Sequence, residues 1–151
     1  MAESIREFLR GEGRDGRGRL LAEVLAFNDA RIEAVHDFIQ WLFPLPDPSG
    51  AVPGSPVLGE AEAAAIRADP RALAGLRAAL ARMTRFYAGT DHWLVRSDHN
   101  HRRITRIIAA TRGLLGREEA AHFHAAVMAR NAAAGGVIDP ASLGYWARAL
   151  G

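Results

Sequence analysis

The chain has 151 residues, of which 49% are hydrophobic, and its formal net charge is +2. This length is typical of a single domain with one core, and no apolar run reaches the roughly 20 residues that a membrane-spanning helix needs. Cysteine is absent and all 19 basic residues are arginine, which excludes disulfides, thiolate metal sites and a Schiff-base lysine. The N-terminal stretch MAESIREFLR lacks the apolar core of a secretion signal, so we expect a cytoplasmic protein.

The first part of the chain predicts short helices joined by turns. Residues 2–10 have the apolar pattern of a helix, residues 11–19 are expected to form a flexible loop of glycine and arginine, and residues 20–27 are again helical. Five residues then recur at the spacing of one helix face: Ile32, Val35, His36, Ile39 and Phe43. Pro44 ends this predicted helix, because the residue before a proline is disfavoured in the α region.

The second part of the chain predicts longer helices with clear start signals. Residues 60–68 form a short predicted helix, and Asp69–Pro70 places a capping carboxylate before a proline at the first helical position. Further helices are predicted over residues 70–89, 98–115, 118–131 and 139–150. No strand alternation or hairpin dipeptide is present, so the sequence predicts an all-α, single-domain bundle of about six to eight helices over residues 1–151.

Polar side chains continue two of these apolar stripes. His36 lies on the apolar face of its predicted helix, Gln40 is its neighbour four residues on, and Trp41 is next to Gln40. In the later helix, Asn100 and His101 extend the buried stripe toward the N-terminus. Because a buried polar group left unpaired costs about 1–3 kcal/mol, we expect the two groups to meet in one site between helices.

The start of the later helix is a candidate anion site. Free N–H groups and the positive end of the helix dipole favour the binding of a carboxylate or phosphate there. Arg103 can add a bidentate hydrogen bond to such an anion. Trp93 precedes this helix and is expected to line the same region. The alternative is purely structural: Ser97 or Asp98 caps the helix, and the buried polar residues only satisfy one another.

Other kinds of site are poorly indicated by the sequence. His99 and His101 are two residues apart on a predicted helix and so face different directions, as do His122 and His124, and we expect no metal site and no cofactor. The stretch GRDGRG lacks the preceding strand and the lysine of a phosphate-binding loop. Arginines alternate with acidic residues instead of forming a patch, so nucleic acid is not an expected partner.

The motifs HDFIQWLFP and HNHRRITRII together resemble the conserved domain of the opioid growth factor receptor family. That domain has a block similar to His-x-Tyr-Ile-Gln-Trp-Leu-Phe-Pro and a later block similar to Asn-His-x-x-Arg-Ile-Thr-Arg-Ile-Leu. The matching positions are His36, Ile39, Gln40, Trp41, Leu42, Phe43, Pro44, Asn100, His101, Arg103, Ile104, Thr105, Arg106 and Ile107. Between the two motifs, residues 56–89 follow the family's order of a short acidic helix, an Asp-Pro-like restart and a long helix that ends in an aromatic pair and glycine.

The resemblance implies a helical receptor-type domain. Vertebrate members of the family resemble receptors for a small peptide, whereas domain-only, bacterial-looking relatives generally have no assigned activity. We therefore expect a protein that binds a small anionic or peptide-like ligand between helices. The expected ligand-binding residues are His36, Gln40, Trp41, Trp93, Asn100, His101 and Arg103.

Two other functions stay open at this point. The first is a small cofactor-independent enzyme of specialised metabolism, in which His36 or His101 is the general acid or base and Arg103 stabilises developing negative charge. The second is a helical protein-interaction module without a pocket. A cavity of roughly 300–1,000 Å³ beside these residues would favour a ligand or a substrate over the module.

Overall fold

The computed structural model describes residues 4–50 and 52–151, and within these ranges it is all-α. The nine helices of the described residues are α1 (Ile5–Leu9), α2 (Leu21–Leu25), α3 (Asp29–Ala34), α4 (Ile39–Leu42), α5 (Glu60–Arg67), α6 (Pro70–Gly89), α7 (Asn100–Leu114), α8 (Arg117–Ala133) and α9 (Pro140–Leu150). One isolated backbone bridge joins Arg14 to Leu20, and no strand forms in the described ranges. The predicted fold class is confirmed. None of the helices described here is long and apolar enough to cross a membrane.

The chain divides into two compact units, residues 1–79 and residues 80–151, which we call unit 1 and unit 2. Unit 1 contains α1 to α5 and the first half of α6, and unit 2 contains the second half of α6 with α7, α8 and α9. Each unit has its own buried apolar residues. The expectation of a single domain over residues 1–151 stays a prediction.

The core of unit 1 forms where α1 packs against α4 and α5. Helix α1 is only five residues long, yet Ile5, Phe8 and Leu9 are all buried. The ring of Phe8 meets the ring of Trp41 edge to face, with centroids 5.6 Å apart. A helix this short is unstable alone in water, so α1 depends on the apolar contacts of its buried face.

A buried carboxylate fastens α1 to the start of α6. Asp69 accepts hydrogen bonds from the backbone N–H groups of Arg71 and Ala72, which makes it the cap that the Asp-Pro pair predicted. Its second oxygen accepts from Arg6 Nε at 2.8 Å and from Arg10 Nη1 at 2.6 Å. The same carboxylate therefore caps one helix and binds two arginines of another.

The prediction of a helix that carries His36 on its buried face is wrong. Helix α3 ends at Ala34, and Val35 is extended with φ −97° and ψ 131°. His36 lies in the loop before α4 and is exposed. The physical reason is tertiary, because Asp37 binds two arginines outside the helix and buried Phe38 packs edge to face on Phe27, with centroids 5.5 Å apart.

The segment predicted to be a flexible loop, residues 11–19, is hydrogen-bonded around a buried side chain. Asp15 is 1% exposed and accepts from the backbone N–H groups of Arg17 and Arg19, each at 2.9 Å. Arg19 Nε also donates to Asp15 at 2.7 Å, while its Nη2 donates to Asp37 at 2.8 Å. Arg19 thus links this segment to Asp37, the residue that follows His36.

Unit 2 is built on α7, which packs against both α8 and α9. The apolar face of α7 is fully buried, as the stripe of Ile104, Ile107 and Ile108 predicted. Tyr87 at the end of α6 packs edge to face on Trp93, with ring centroids 5.1 Å apart. Trp146 of α9 is also completely buried.

Gly75 in α6 is the position where we expect the fold to be most sensitive to a single methyl group. A β-carbon at Gly75 would overlap the backbone carbonyl of Leu9, which lies at the end of α1. The neighbour is backbone and cannot rotate away, so Gly75→Ala should lower the free energy of unfolding by roughly 1–3 kcal/mol. Chemical denaturation measures this difference.

Gly144 in α9 provides the matched control. No atom lies within 4 Å of a β-carbon placed there. Gly144→Ala should therefore raise the free energy of unfolding by about 0.5–1 kcal/mol, because alanine is the better helix former. A Gly75→Ala protein as stable as the Gly144→Ala protein would contradict the close approach of α1 to α6.

Acid should weaken unit 1 through Asp69. Hydrogen bonds from Arg10 and Arg6 hold the pKa of the Asp69 carboxyl well below its usual range. A carboxyl with a lowered pKa in the folded state stabilises that state above the pKa of the unfolded chain, and this stabilisation is lost as the pH falls. We expect the midpoint of urea unfolding to decrease between about pH 5 and pH 2.

The variant Asp69→Asn isolates the charge, because asparagine keeps a capping oxygen. It should be less stable than the original protein at pH 7 and should lose less stability on acidification. Asp47→Asn, which removes an exposed carboxylate, is the control and should keep the original pH dependence. Equal pH profiles for the two variants would rule out this role of Asp69.

Candidate functional site

The residues predicted to form one site belong to two different units. His36, Gln40 and Trp41 lie in unit 1. The members in unit 2 are Trp93, Asn100, His101 and Arg103. Their convergence on one point stays a prediction, and each group has its own geometry within its unit.

The unit 1 group contains one unsatisfied polar atom. Gln40 lies on α4 and is 6% exposed, and its Oε1 is buried without a hydrogen-bond partner among the described residues. Trp41 beside it is 5% exposed and packs on Phe8, so its ring belongs to the core. His36 is exposed and does not share a helix with either residue.

Asn100, the first residue of α7, is the centre of the polar group in unit 2. Its side chain is completely buried, and its Oδ1 accepts from the hydroxyl of Tyr87 at 3.0 Å. Its Nδ2 donates to Asp98 Oδ1 at 2.9 Å, and the same oxygen accepts from the Asn100 backbone N–H at 2.9 Å. Both ends of the amide are therefore bonded within unit 2.

Asp98 caps α7, as one of the two predictions for this helix, Ser97 or Asp98, stated. Its carboxylate lies at the start of α7 and accepts a hydrogen bond from the backbone N–H of Asn100. That N–H group would otherwise be available to an anion. The positive end of the helix dipole is thus already matched by a carboxylate of the chain itself. This arrangement disfavours the predicted anion site at the start of α7.

Two exposed histidines flank the Asn100 amide. The Nε2 atoms of His92 and His99 each lie 3.5 Å from Asn100 Nδ2. His99 Nδ1 is also 3.7 Å from the carboxylate of Asp98. The sequence predicted only that His99 and His101 face different directions, so it did not predict that His92 and His99 lie beside Asn100.

His101 has one satisfied and one unsatisfied ring nitrogen. It is 4% exposed, and its Nε2 lies 2.8 Å from the carbonyl oxygen of Trp93. A carbonyl only accepts, so Nε2 carries the proton and Nδ1 of the neutral ring has a free lone pair. Nδ1 is buried and has no hydrogen-bond partner among the described residues.

The position of His101 is fixed by two tryptophans from different elements. Trp93 is completely buried, and its own Nε1 donates to the carbonyl of Thr90 at 3.0 Å. Trp146 of α9 donates from its Nε1 to the carbonyl oxygen of His101 at 3.0 Å, and its ring meets the imidazole edge to face at 6.0 Å. The sequence predicted Trp93 near this site but not Trp146.

Arginines of α7 add positive charge to the same helix. Arg103 is 7% exposed and lies one turn after Asn100. Burial lowers the pKa of Arg106 to about 10, and its guanidinium is still charged at neutral pH because this value lies well above 7. Helix α7 therefore carries the guanidinium groups of Arg103 and Arg106 in the turns that follow His101.

Two clefts of unit 2 lie away from these residues. One has a volume of about 480 Å³ and is lined by Leu80, Thr84, Glu118, Glu119, His122 and Phe123. The other has a volume of about 360 Å³ and is lined by Asp91, Leu94, Arg130, Ala133 and Ala134. None of the predicted site residues lines either cleft, so neither cleft favours a ligand at the predicted site over a protein-interaction module. In residues 4–50 and 52–151, no group of three or more histidine or acidic side chains is arranged to hold a metal ion.

Removal of the Asn100 amide tests whether this residue is architectural. Asn100→Ala should lower the free energy of unfolding by about 1–3 kcal/mol, because the Tyr87 hydroxyl loses its buried acceptor. Tyr87→Phe removes the donor alone and should cost about 0.5–1.5 kcal/mol. Urea denaturation compares the two variants. An Asn100→Ala protein as stable as the original would show that the network contributes nothing to the fold.

Comparison with known proteins gives no relatives: no family model, no curated protein and no solved structure matches the chain. The resemblance to the opioid growth factor receptor family stays a prediction that rests on the two sequence motifs.

Proposed function

We propose that the protein binds a small peptide-like ligand, as the resemblance to the opioid growth factor receptor domain implies, and that His101 accepts a hydrogen bond from it. One observation carries this proposal. His101 Nδ1 is a buried acceptor without a partner among the described residues, although the other ring nitrogen is hydrogen-bonded. The ligand would supply the missing donor.

The unpaired nitrogen of His101 differs from the fully hydrogen-bonded side chain of its neighbour Asn100. A buried polar atom without a partner costs about 1–3 kcal/mol, and most such atoms in folded proteins are paired. Asn100, the preceding residue of α7, is fully buried and bonded at both ends of its amide. An unpaired nitrogen one residue further on is therefore not a general property of this helix, and ligand binding would explain why it is kept.

Unit 1 has an unpaired acceptor of its own, which calls for a donor of the same kind within that unit. Gln40 Oε1 in unit 1 is also buried without a hydrogen-bond partner among the described residues. Both atoms accept hydrogen bonds, and they come from the two motifs that carry the family resemblance. Acceptors call for a ligand with N–H or O–H groups, such as a peptide backbone or an amine.

The same reasoning favours a peptide-like ligand over a simple anion. A carboxylate anion such as acetate has no donor for His101 Nδ1, and Asp98 already provides a carboxylate at the start of α7. A peptide-like molecule combines donors with a carbonyl or carboxylate acceptor. In this proposal Arg103, one turn along α7 from Asn100, binds that acceptor end.

An acid–base enzyme is the second candidate, and the same atom favours it. The lone pair on Nδ1 of a neutral imidazole is what a general base uses to take a proton from a substrate. Arg103 would then stabilise negative charge in the transition state. Turnover of the bound molecule, followed by mass spectrometry, separates this candidate from simple binding.

The variant His101→Gln tests the proposal with little disturbance of the fold. The glutamine amide can keep a donor to the Trp93 carbonyl while the Nδ1 acceptor is removed. We expect the free energy of unfolding to change by less than about 1 kcal/mol, whereas ligand binding is lost. Binding is measured by NMR with a panel of dipeptides, with acetate and phosphate as anionic comparisons.

The matched control is His124→Gln, which changes a half-buried histidine of the same unit that lines neither cleft, and it should leave dipeptide binding unchanged. The proposal fails if no dipeptide shifts the signals of α7 in the original protein. It also fails if His101→Gln binds dipeptides as well as the control does.

A further inference from the structure

The acceptor nitrogen of His101 is closed off from solvent in this structure. His101 Nδ1 is buried, and His101 lines neither of the two clefts of unit 2. A ligand that donates a hydrogen bond to this atom therefore needs a part of unit 2 to move. Two elements contact His101: the chain between α6 and α7, which carries Trp93, and helix α9, which carries Trp146.

Helix α9 is firmly attached to the rest of unit 2. It packs against both α7 and α8, and the ring of Trp146 is completely buried. Trp146 Nε1 also donates to the main-chain carbonyl of His101. A movement of α9 would break contacts with two long helices at once, so the other element is the one that can open.

Residues 90–99, which we call the α6–α7 loop, are attached at far fewer points. In this range, which the structure describes in full, no helix or strand forms and only Trp93 is buried. A segment with few buried apolar side chains opens locally at a lower free energy than a packed helix does. The burial of Trp93 and its ring contact with Tyr87 keep the closed form dominant.

The α6–α7 loop also has unfilled space on one side. A cleft of about 360 Å³ separates part of the loop from α8. Its lining residues are Asp91 and Leu94 of the loop and Arg130, Ala133 and Ala134 of α8. The loop does not pack on α8 along this cleft, so a shift into the space displaces no core side chain.

A weak contact with the start of α9 fastens the middle of the loop. The backbone N–H of Asp139 donates to the Arg96 carbonyl at 3.0 Å, and Arg96 Nη2 lies 3.5 Å from the Asp139 carboxylate. The Arg96 side chain is 76% exposed, and an ion pair in contact with water contributes little stability. The pair can therefore be broken without loss of the core of unit 2.

We propose that the α6–α7 loop is a lid over His101, closed in this structure and opened to admit the peptide-like ligand, with the Arg96–Asp139 ion pair as its latch. Opening draws the Trp93 carbonyl away from His101 and exposes the acceptor nitrogen. This inference rests on the proposed function, because it assigns the movement to the entry of that ligand. The ligand binds the open form, so its apparent affinity falls with the fraction of molecules that are open.

Modification by diethyl pyrocarbonate tests the lid without a ligand, because this small reagent attacks an unprotonated imidazole nitrogen that it can reach. Mass spectrometry of the full chain after digestion follows His101 separately from the exposed histidines. Arg96→Ala, which removes the latch, should speed the modification of His101 about 1.5- to 5-fold, as the loss of an exposed ion pair implies. The control Arg148→Ala removes an exposed arginine of α9 that stacks on Tyr145, and the rate should not change.

The dependence of this rate on urea separates the opening of the lid from unfolding. A local opening exposes little surface, so the rate at His101 should stay nearly constant below the unfolding transition. A rate that rises steeply with urea from the start would overturn the lid, because His101 would then be reached only through unfolding. Equal rates in Arg96→Ala and Arg148→Ala would also overturn it.

Dipeptide titrations separate a failure of the lid from a failure of the proposed function. Arg96→Ala should bind about 1.5- to 5-fold more tightly the dipeptides that bind the original protein, because more molecules are open. If dipeptides bind both proteins equally, the lid is wrong and the proposed function stands. If His101 is modified through local opening but no dipeptide binds, the proposed function is wrong, and the assignment of the lid to a peptide-like ligand fails with it.

Discussion

The side-chain amide of Asn100, at the start of α7, is completely buried, and this burial constrains the loop between α6 and α7. Asn100 has no contact with water, so each end of its side chain needs a partner inside the protein. Tyr87 from the end of α6 and Asp98 from the loop supply those partners. Because the partners come from both sides of the α6–α7 connection, the amide fixes how this loop lies on α7 and brings Trp93 against His101.

Arginine has the corresponding role in unit 1. Asp15 and Asp69 are both almost completely buried, and each is held by arginine together with backbone N–H groups. A guanidinium suits this task because its planar donors reach two groups at once, as Arg19 does with Asp15 and Asp37. The 19 arginines of the chain therefore include side chains that join separate segments.

The fold class was predictable because helical periodicity and the Asp-Pro starts are local signals. The long helices α6 to α9 follow those signals closely. The predicted helix around His36 failed for the opposite reason. Local pattern favoured one continuous helix, whereas the contacts of Asp37 with distant arginines and of Phe38 with Phe27 break it into α3 and α4. Such long-range contacts have no local signature.

The sequence by itself determined that Asn100 and His101 are buried on α7, since each continues an apolar stripe at helical spacing. It also placed the cap of α7 at Ser97 or Asp98, and the structure shows the carboxylate of Asp98 in that role. Only the tertiary structure decided which buried polar atoms are satisfied, because hydrogen bonding depends on partners from other elements. The Tyr87 hydroxyl satisfies Asn100, whereas no described residue reaches His101 Nδ1. Periodicity reports the direction of a side chain, and only the packed chain supplies its partner.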